Sequence, residues 1–211
     1  MENRSSPPKP TARDRLLDAA LRIIREKGYA ATAVDDLCAA AGVTKGAFFH
    51  HFRSKEDLAV AAAGHWSDMT GALFAAAPYH QPDDPLDRVL AYLDFRDALI
   101  RGAIPEFTCL VGTMVQEVHE TSPAIRAAGF ASISGHAATL EADIAAAMEL
   151  YGVPSGITAR SLALHTQAVL QGGFILAKGS GDPDLARDSI AHLKRYLRLL
   201  FIRPETEEER S

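Results

Sequence analysis

Cysteine and tryptophan are nearly absent, with two cysteines, Cys38 and Cys109, and a single tryptophan, Trp66, in 211 residues. Two thiols among apolar neighbours build neither a disulfide framework nor a four-ligand zinc site by themselves, and they suit a reducing compartment. Long apolar runs are missing as well. No segment approaches the roughly 18 uninterrupted apolar residues of a membrane helix, and the opening MENRSSPPKPTARD lacks the apolar stretch of a secretory signal. The expectation is a cytoplasmic protein with no membrane partner. Runs of alternating β-branched residues are lacking, which argues against a sheet. Positive charge is not in excess either, since 22 Lys and Arg face 27 Asp and Glu for a net charge of −5. Any surface that attracts a polyanion must therefore be local.

The charge is indeed uneven. Residues 1–60 hold ten cationic against eight anionic side chains, a balance of +2, and residues 61–211 hold 12 against 19, a balance of −7. Composition is otherwise that of an ordinary globular chain, 47% hydrophobic and 23% charged. Residues 1–10, with Pro7, Pro8 and Pro10, read as a disordered arm, and residues 204–211, with Glu205 and Glu207 to Glu209, read as an acidic tail.

Between these ends the apolar period is 3.6. Thr11 and Asp14 form a capping-box pattern ahead of Leu16, Ala20, Ile23 and Ile24, and Gly28 ends the run. Thr32 with Asp35 opens a short second helix that stops at Gly42. Thr44 opens a third reaching about His51, and Ser54 with Asp57 opens a fourth through Leu58, Ala62, Trp66 and Met69 towards Pro78. Helical patterns resume over 85–103, 106–120, 123–151, 157–179 and 183–202. The expected fold is all-α, with about nine helices.

Helices two and three, joined by Ala41-Gly42-Val43, have the proportions of a helix-turn-helix, in which glycine permits the sharp reversal. Thr44-Lys45-Gly46-Ala47 then offers a hydroxyl, a cation and two small residues at a helix start whose free N–H groups favour phosphate. Lys45 and Lys55 stand at adjacent helix starts, as suits phosphate contacts, while Arg13, Arg15 and Arg53 serve either phosphate attraction or solubility. Phe48 and Phe52, four apart, read as core. His50 and His51 point about 100° apart on a helix and do not share an ion, so no metal site is expected.

Residues 12–58, above all TAVDDL at 32–37 and AAGVTKGAFFHHFRSKEDL at 40–58, resemble the TetR family of transcriptional regulators. The resemblance implies a three-helix DNA-binding domain over 11–54 and a larger helical domain over 55–203 that dimerises and holds a small effector. It also implies DNA contacts at Thr32, Thr44, Lys45, Gly46, Ala47, Phe49, His51 and Lys55. Many members carry tyrosine where this chain has Phe49, so a phosphate-bonding hydroxyl is missing there.

The segment after residue 60 supplies the ingredients of a largely apolar cavity with a few polar anchors. Trp66, Met69, Phe95, Cys109, Phe130 and Val169 offer apolar lining, and Thr113, Gln116, His136 and His165 offer polar groups; packing roles for the same residues remain open. Phe74, Phe107, Met114, Glu117, Gln167 and Gln171 share these traits. Leu162, Gly172, Gly173 and Leu176, with Ile190, Leu193, Leu197 and Leu200 of the last helix, would build a four-helix interface between two copies, or else an internal core.

These readings combine into a homodimeric regulator, a repressor in the first instance. It would bind palindromic double-stranded operator DNA at half-sites roughly 34–36 Å apart and be released by a small, largely apolar effector. No cofactor is called for. No H-E-x-x-H, P-loop, G-x-S-x-G or dinucleotide signature supports an enzyme. The competing reading is a helical dimer that binds a ligand or protein without reading DNA.

Overall fold

The computed structural model describes residues 9–201, so the acidic tail and nearly all of the N-terminal arm lie outside it. Eleven α-helices and one 3₁₀ turn at Pro78–His80 make up the described residues, with no strand. The helices are α1 (Ala12–Lys27), α2 (Val34–Ala41), α3 (Lys45–His51), α4 (Lys55–Ala75), α5 (Pro85–Ala98), α6 (Ile104–Phe107), α7 (Leu110–Val118), α8 (Pro123–Ala138), α9 (Glu141–Tyr151), α10 (Ala159–Ser180) and α11 (Asp184–Leu200). The count exceeds the expected nine for two local reasons. Pro105 opens the single turn of α6, because a ring lacking N–H is tolerated in a first turn, and Cys109 starts α7 as a new helix. The pattern over 123–151 breaks at Thr139 and Leu140 into α8 and α9.

Caps define the N-terminal elements. The Thr11 hydroxyl accepts from the Asp14 amide at 3.2 Å, and the Asp14 carboxylate accepts from the Thr11 amide at 2.9 Å. Thr44 and Ser54 cap α3 and α4 through the amides of Ala47 and Asp57. At α2 the expectation is off by one residue. Ala33 is the cap, and Asp36 rather than Asp35 closes on its amide, which leaves the Thr32 hydroxyl to donate to the Gly28 carbonyl at 2.6 Å. Gly42 ends α2 in the left-handed region at φ +61°, where a Cβ is costly, and the Arg15 guanidinium closes the same end by donating to the Ala41 carbonyl at 3.0 Å.

Packing makes α1 the hub. It touches α2, α3 and α4 on one side and α6 and α7 on the other, through Leu16, Leu17, Ala20, Leu21 and Ile24, all buried. Phe48 of α3, with no exposed surface, and Phe52 enter the same core beside Leu37 and Leu58. Further along, α4 packs along α8, α8 on α7, and α10 along α11. None of the described helices is long and apolar enough to cross a membrane.

Because Phe48 is the main anchor of a seven-residue helix that could not persist alone, Phe48→Ala should lower unfolding free energy by about 3–5 kcal/mol. Urea denaturation followed by circular dichroism measures this directly.

Candidate functional site

Burying Phe48 turns the opposite side of α3 outward. Thr44, Lys45, Gly46, Phe49 and His50 are exposed, Ala47 and His51 are half-buried, and Phe49 leaves 56% of its surface open. That is a large aromatic in water beside a helix start whose amides face outward. A Cβ at Gly46 would meet only the Thr44 hydroxyl, at 3.7 Å, so a flat object can approach the backbone closely. The Lys45 ammonium lies 2.8 Å from the Asp35 carboxylate, an exposed pair in which hydrogen bonding and charge from Asp35 raise the lysine above its usual range. Such a pair is weak and exchangeable, and phosphate can replace the carboxylate.

Two expected contacts face inward instead. Thr32 is 1% exposed with its hydroxyl spent on Gly28, so it supports the turn and does not reach outward. The Lys55 ammonium donates to the carbonyls of Tyr29 and Thr32, at 3.0 and 2.9 Å, and sits 4.3 Å from the Tyr29 ring centre. Its charge therefore ties the start of α4 to the turn between α1 and α2, a positioning role in place of the expected phosphate contact.

The second site is a cavity of about 710 Å³ beneath α4, closed by α5, α6, α8 and α10. Trp66, Met69, Cys109 and His136 line it as expected, joined by Phe74, Phe107, Gln167 and Gln171. Six expected lining residues lie elsewhere. Phe95 packs edge-on against Phe74, and Val169 is half-buried outside the wall. The Thr113 hydroxyl is taken by the Cys109 carbonyl and the Lys178 ammonium. Gln116 bends back to the Gly112 carbonyl, Phe130 is 59% exposed, and His165 lies in the open against Tyr196. Periodicity located the right helices but chose the wrong side for these residues.

Two cationic lining residues, Arg25 and Arg96, escaped the sequence reading. Both sit on apolar stripes, Arg25 four residues after buried Leu21 and Arg96 seven after buried Val89, and that spacing was the available signal. Arg25 donates to the Leu21 and Glu106 carbonyls and lies 5.1 Å from the Trp66 ring centre.

At one end of the cavity the buried Tyr92 hydroxyl accepts from the Gln167 amide and meets His136 Nε2, each at 3.0 Å. A Tyr92 hydroxyl that donates to His136 while accepting from Gln167 uses both of its roles, and the histidine proton then belongs on Nδ1. Burial first, and the Arg96 charge second, push His136 down from 6.5 to about 4, in keeping with a neutral ring. The residues of the expected association face divide. Leu162, Gly173, Ile190, Leu193 and Leu197 are buried within the chain, and a Cβ at Gly173 would lie 3.3 Å from the Ala186 backbone, at the α10–α11 contact. They cannot also form an outer interface. Leu200 is half-buried, Gly172 faces open space, and Leu176 is exposed together with Ile175, Tyr196 and Leu199.

With a folded pKa near 4 against 6.5, His136 makes the unfolded chain the stronger proton binder between those values. Stability is therefore complete above about pH 6.5 and falls towards pH 4, by at most about 3 kcal/mol. Urea midpoints between pH 4.5 and 7 should show this slope, and His136→Gln, which keeps an acceptor for Tyr92, should flatten it.

Comparison with known proteins follows this division. The family described as "Bacterial regulatory proteins, tetR family" matches residues 16–62, the stretch from α1 into α4. Transcriptional regulator AcuR of Cereibacter sphaeroides is 30% identical over 125 residues, 59% of this chain and just over half, 57%, of AcuR. The regulator CymR of Pseudomonas putida is 49% identical over 47 residues, covering 22% of this chain and 23% of CymR. Among solved structures, a TetR transcriptional regulator of Chloroflexus aurantiacus superposes with a TM-score of 0.77 at 26% identity, over 90% of this chain and 95% of that one. Reduced NemR of E. coli gives 0.76 at 23% identity, over 92% and 99%. The exposed α3, the buried frame behind it and these likenesses agree that residues 16–62 form a helix-turn-helix segment of the tetR family of bacterial regulatory proteins, with α2 and α3 as its two helices, in a chain that shares the overall fold of TetR-family regulators.

Proposed function

We propose that the protein is a homodimeric repressor that places α3 of each protomer in successive major grooves of a palindromic operator and is released when a small molecule fills the cavity under α4. The chain then divides into a DNA-binding unit over 11–54 and an effector-binding and dimerisation unit over 55–203, and it acts in the cytoplasm, where the DNA is. Thr44, Lys45, Gly46, Ala47, Phe49 and His51 meet the duplex, with Phe49 giving apolar contact to a base methyl or sugar. The cavity binds without turnover.

One observation carries the ligand response. The cavity wall includes Arg25 of α1, the helix that packs on α2 and α3, and a row from Val60 to Phe74 of α4, which packs on α1 and follows α3 in the chain. An occupant that pushes on Trp66 or Arg25 therefore moves the frame of the helix-turn-helix directly. A ligand shifts such an equilibrium through its different affinities for the two arrangements. Two further links run the same way. The Glu117 carboxylate of α7 accepts from the Ala30 amide at 2.7 Å, and Ser122 at the start of α8 bonds Glu56 of α4.

Dimerisation is supported by large apolar side chains left exposed on both terminal helices, Ile175 and Leu176 of α10 and Tyr196 and Leu199 of α11, the last 78% exposed. Exposed apolar residues of this kind on one protomer fit a self-complementary two-fold contact. Leu176 apart, they are not the residues that the leucine spacing suggested.

Two measurements test the proposal. Operator sequences selected from random DNA should be bound with an affinity that falls steeply with salt, and Lys45→Ala should weaken binding and reduce the salt slope by about one. Binding that ignores salt and sequence would sink the regulator reading in favour of a ligand- or protein-binding dimer. In sedimentation, Leu176→Glu with Leu199→Glu should give folded monomers that no longer retard the operator.

A further inference from the structure

Three charged side chains line the cavity, and they are not equivalent. The Glu106 carboxylate is held at its own helix start by the Ala103 amide at 2.8 Å. Arg25 is tethered by two of its five N–H donors to backbone carbonyls of Leu21 and Glu106. Arg96 is different. Its guanidinium carbon lies 5.2 Å from the Phe74 ring centre and 5.6 Å from that of Phe174, so ring faces hold it in place. Among the described residues no carboxylate lies within ion-pair distance of it and no side chain or carbonyl accepts from it. A guanidinium with five donors, half-buried between apolar rings, is fixed in direction and left without an anion.

Its neighbours add to the polarity. His136 and Gln167, joined through Tyr92, stand at the same end of the cavity. Gln171 supplies a further amide. The rest of the wall is mostly apolar, from Trp66 and Met69 to Leu73 and Phe107, with the charges of Arg25 and Glu106 and the hydroxyls of Ser67, Thr70, Ser132 and Thr139 set into it. The chamber thus has a cationic, donor-rich end and a mostly hydrophobic body.

We propose that the effector is an amphiphilic carboxylate, its headgroup paired with Arg96 and its hydrocarbon body lying along Trp66, Met69 and Phe107. A planar guanidinium offers paired N–H donors that match a carboxylate in a bidentate fashion, whereas an alcohol of the same length takes one bond and no charge. This deepens the effector reading above and rests on it.

Trp66 is the sole tryptophan and lines the cavity, so its emission reports occupancy directly. Octanoate and 1-octanol share one chain length and differ at the headgroup, and each is titrated against the full-length protein. Octanoate should half-saturate the Trp66 signal at a concentration about tenfold lower than 1-octanol, the scale set by a charge-assisted pair. Arg96→Met, which keeps the packed stem, should bring the two within about twofold by weakening octanoate alone. Arg96→Lys should restore much of the preference, and circular dichroism verifies that both variants fold. Equal binding by the wild type, or a preference that survives Arg96→Met, overturns the carboxylate assignment while leaving the cavity as an effector site. If neither compound alters the emission or releases the operator, the effector reading falls and this assignment with it.

Discussion

A helix of seven residues has no stability of its own, because the cost of nucleating it is never recovered over two turns. Everything that α3 can do therefore depends on the burial of Phe48 and Phe52 against α1 and α4. Once those rings are inside, the 3.6-residue period leaves no freedom over which side chains point out. Thr44, Lys45, Gly46 and Phe49 are presented because Phe48 is not. The same rings join α3 to the core that α1 and the start of α4 share, and both of those helices run on to line the cavity.

The frame around that contact is polar. Lys55 spans from α4 to the turn after α1, Arg15 closes the end of α2, and Thr32 and Asp36 fasten the start of α2. Each satisfies backbone groups that would otherwise be stranded at a helix end. A short unit of this kind is tied to α1 and α4 at its turns and helix ends as well as through its core.

Legibility in the sequence followed how local the determining forces are. Caps at Thr11, Thr44 and Ser54, the glycine stop at Gly42 and the burial of Phe48 and Phe52 were all readable, since each is set by neighbours within a turn or two. The one-residue error at Ala33 arose because Thr32 and Asp35 imitate a cap while Thr32 is claimed by Gly28. The split of α6 from α7 depended on Pro105 opening a turn, and a proline alone signals a stop as readily as a start. Beyond residue 60, apolar spacing marked helices but did not separate the residues buried within the chain from those left exposed. Leu162, Ile190, Leu193 and Leu197 are buried within the chain, and Leu176 and Leu199 are left exposed. Arg25 and Arg96 went unnoticed because a cation on an apolar stripe is invisible to a count of hydrophobic residues.

The turn after α1 contains one further consequence. Gly28 takes φ +89°, and the volume that a Cβ would need is filled by the Glu117 carboxylate, 2.4 Å away. Position 28 is thus held to glycine by its torsion, and a Cβ there would also displace the Glu117 carboxylate from the Ala30 amide. Trimming Glu117 would free the volume but not the torsion, and would strand the Ala30 amide as well. Sequence drift at this seam is therefore frozen on both sides at once, so that related chains keeping this turn should retain glycine and carboxylate together or exchange the whole junction.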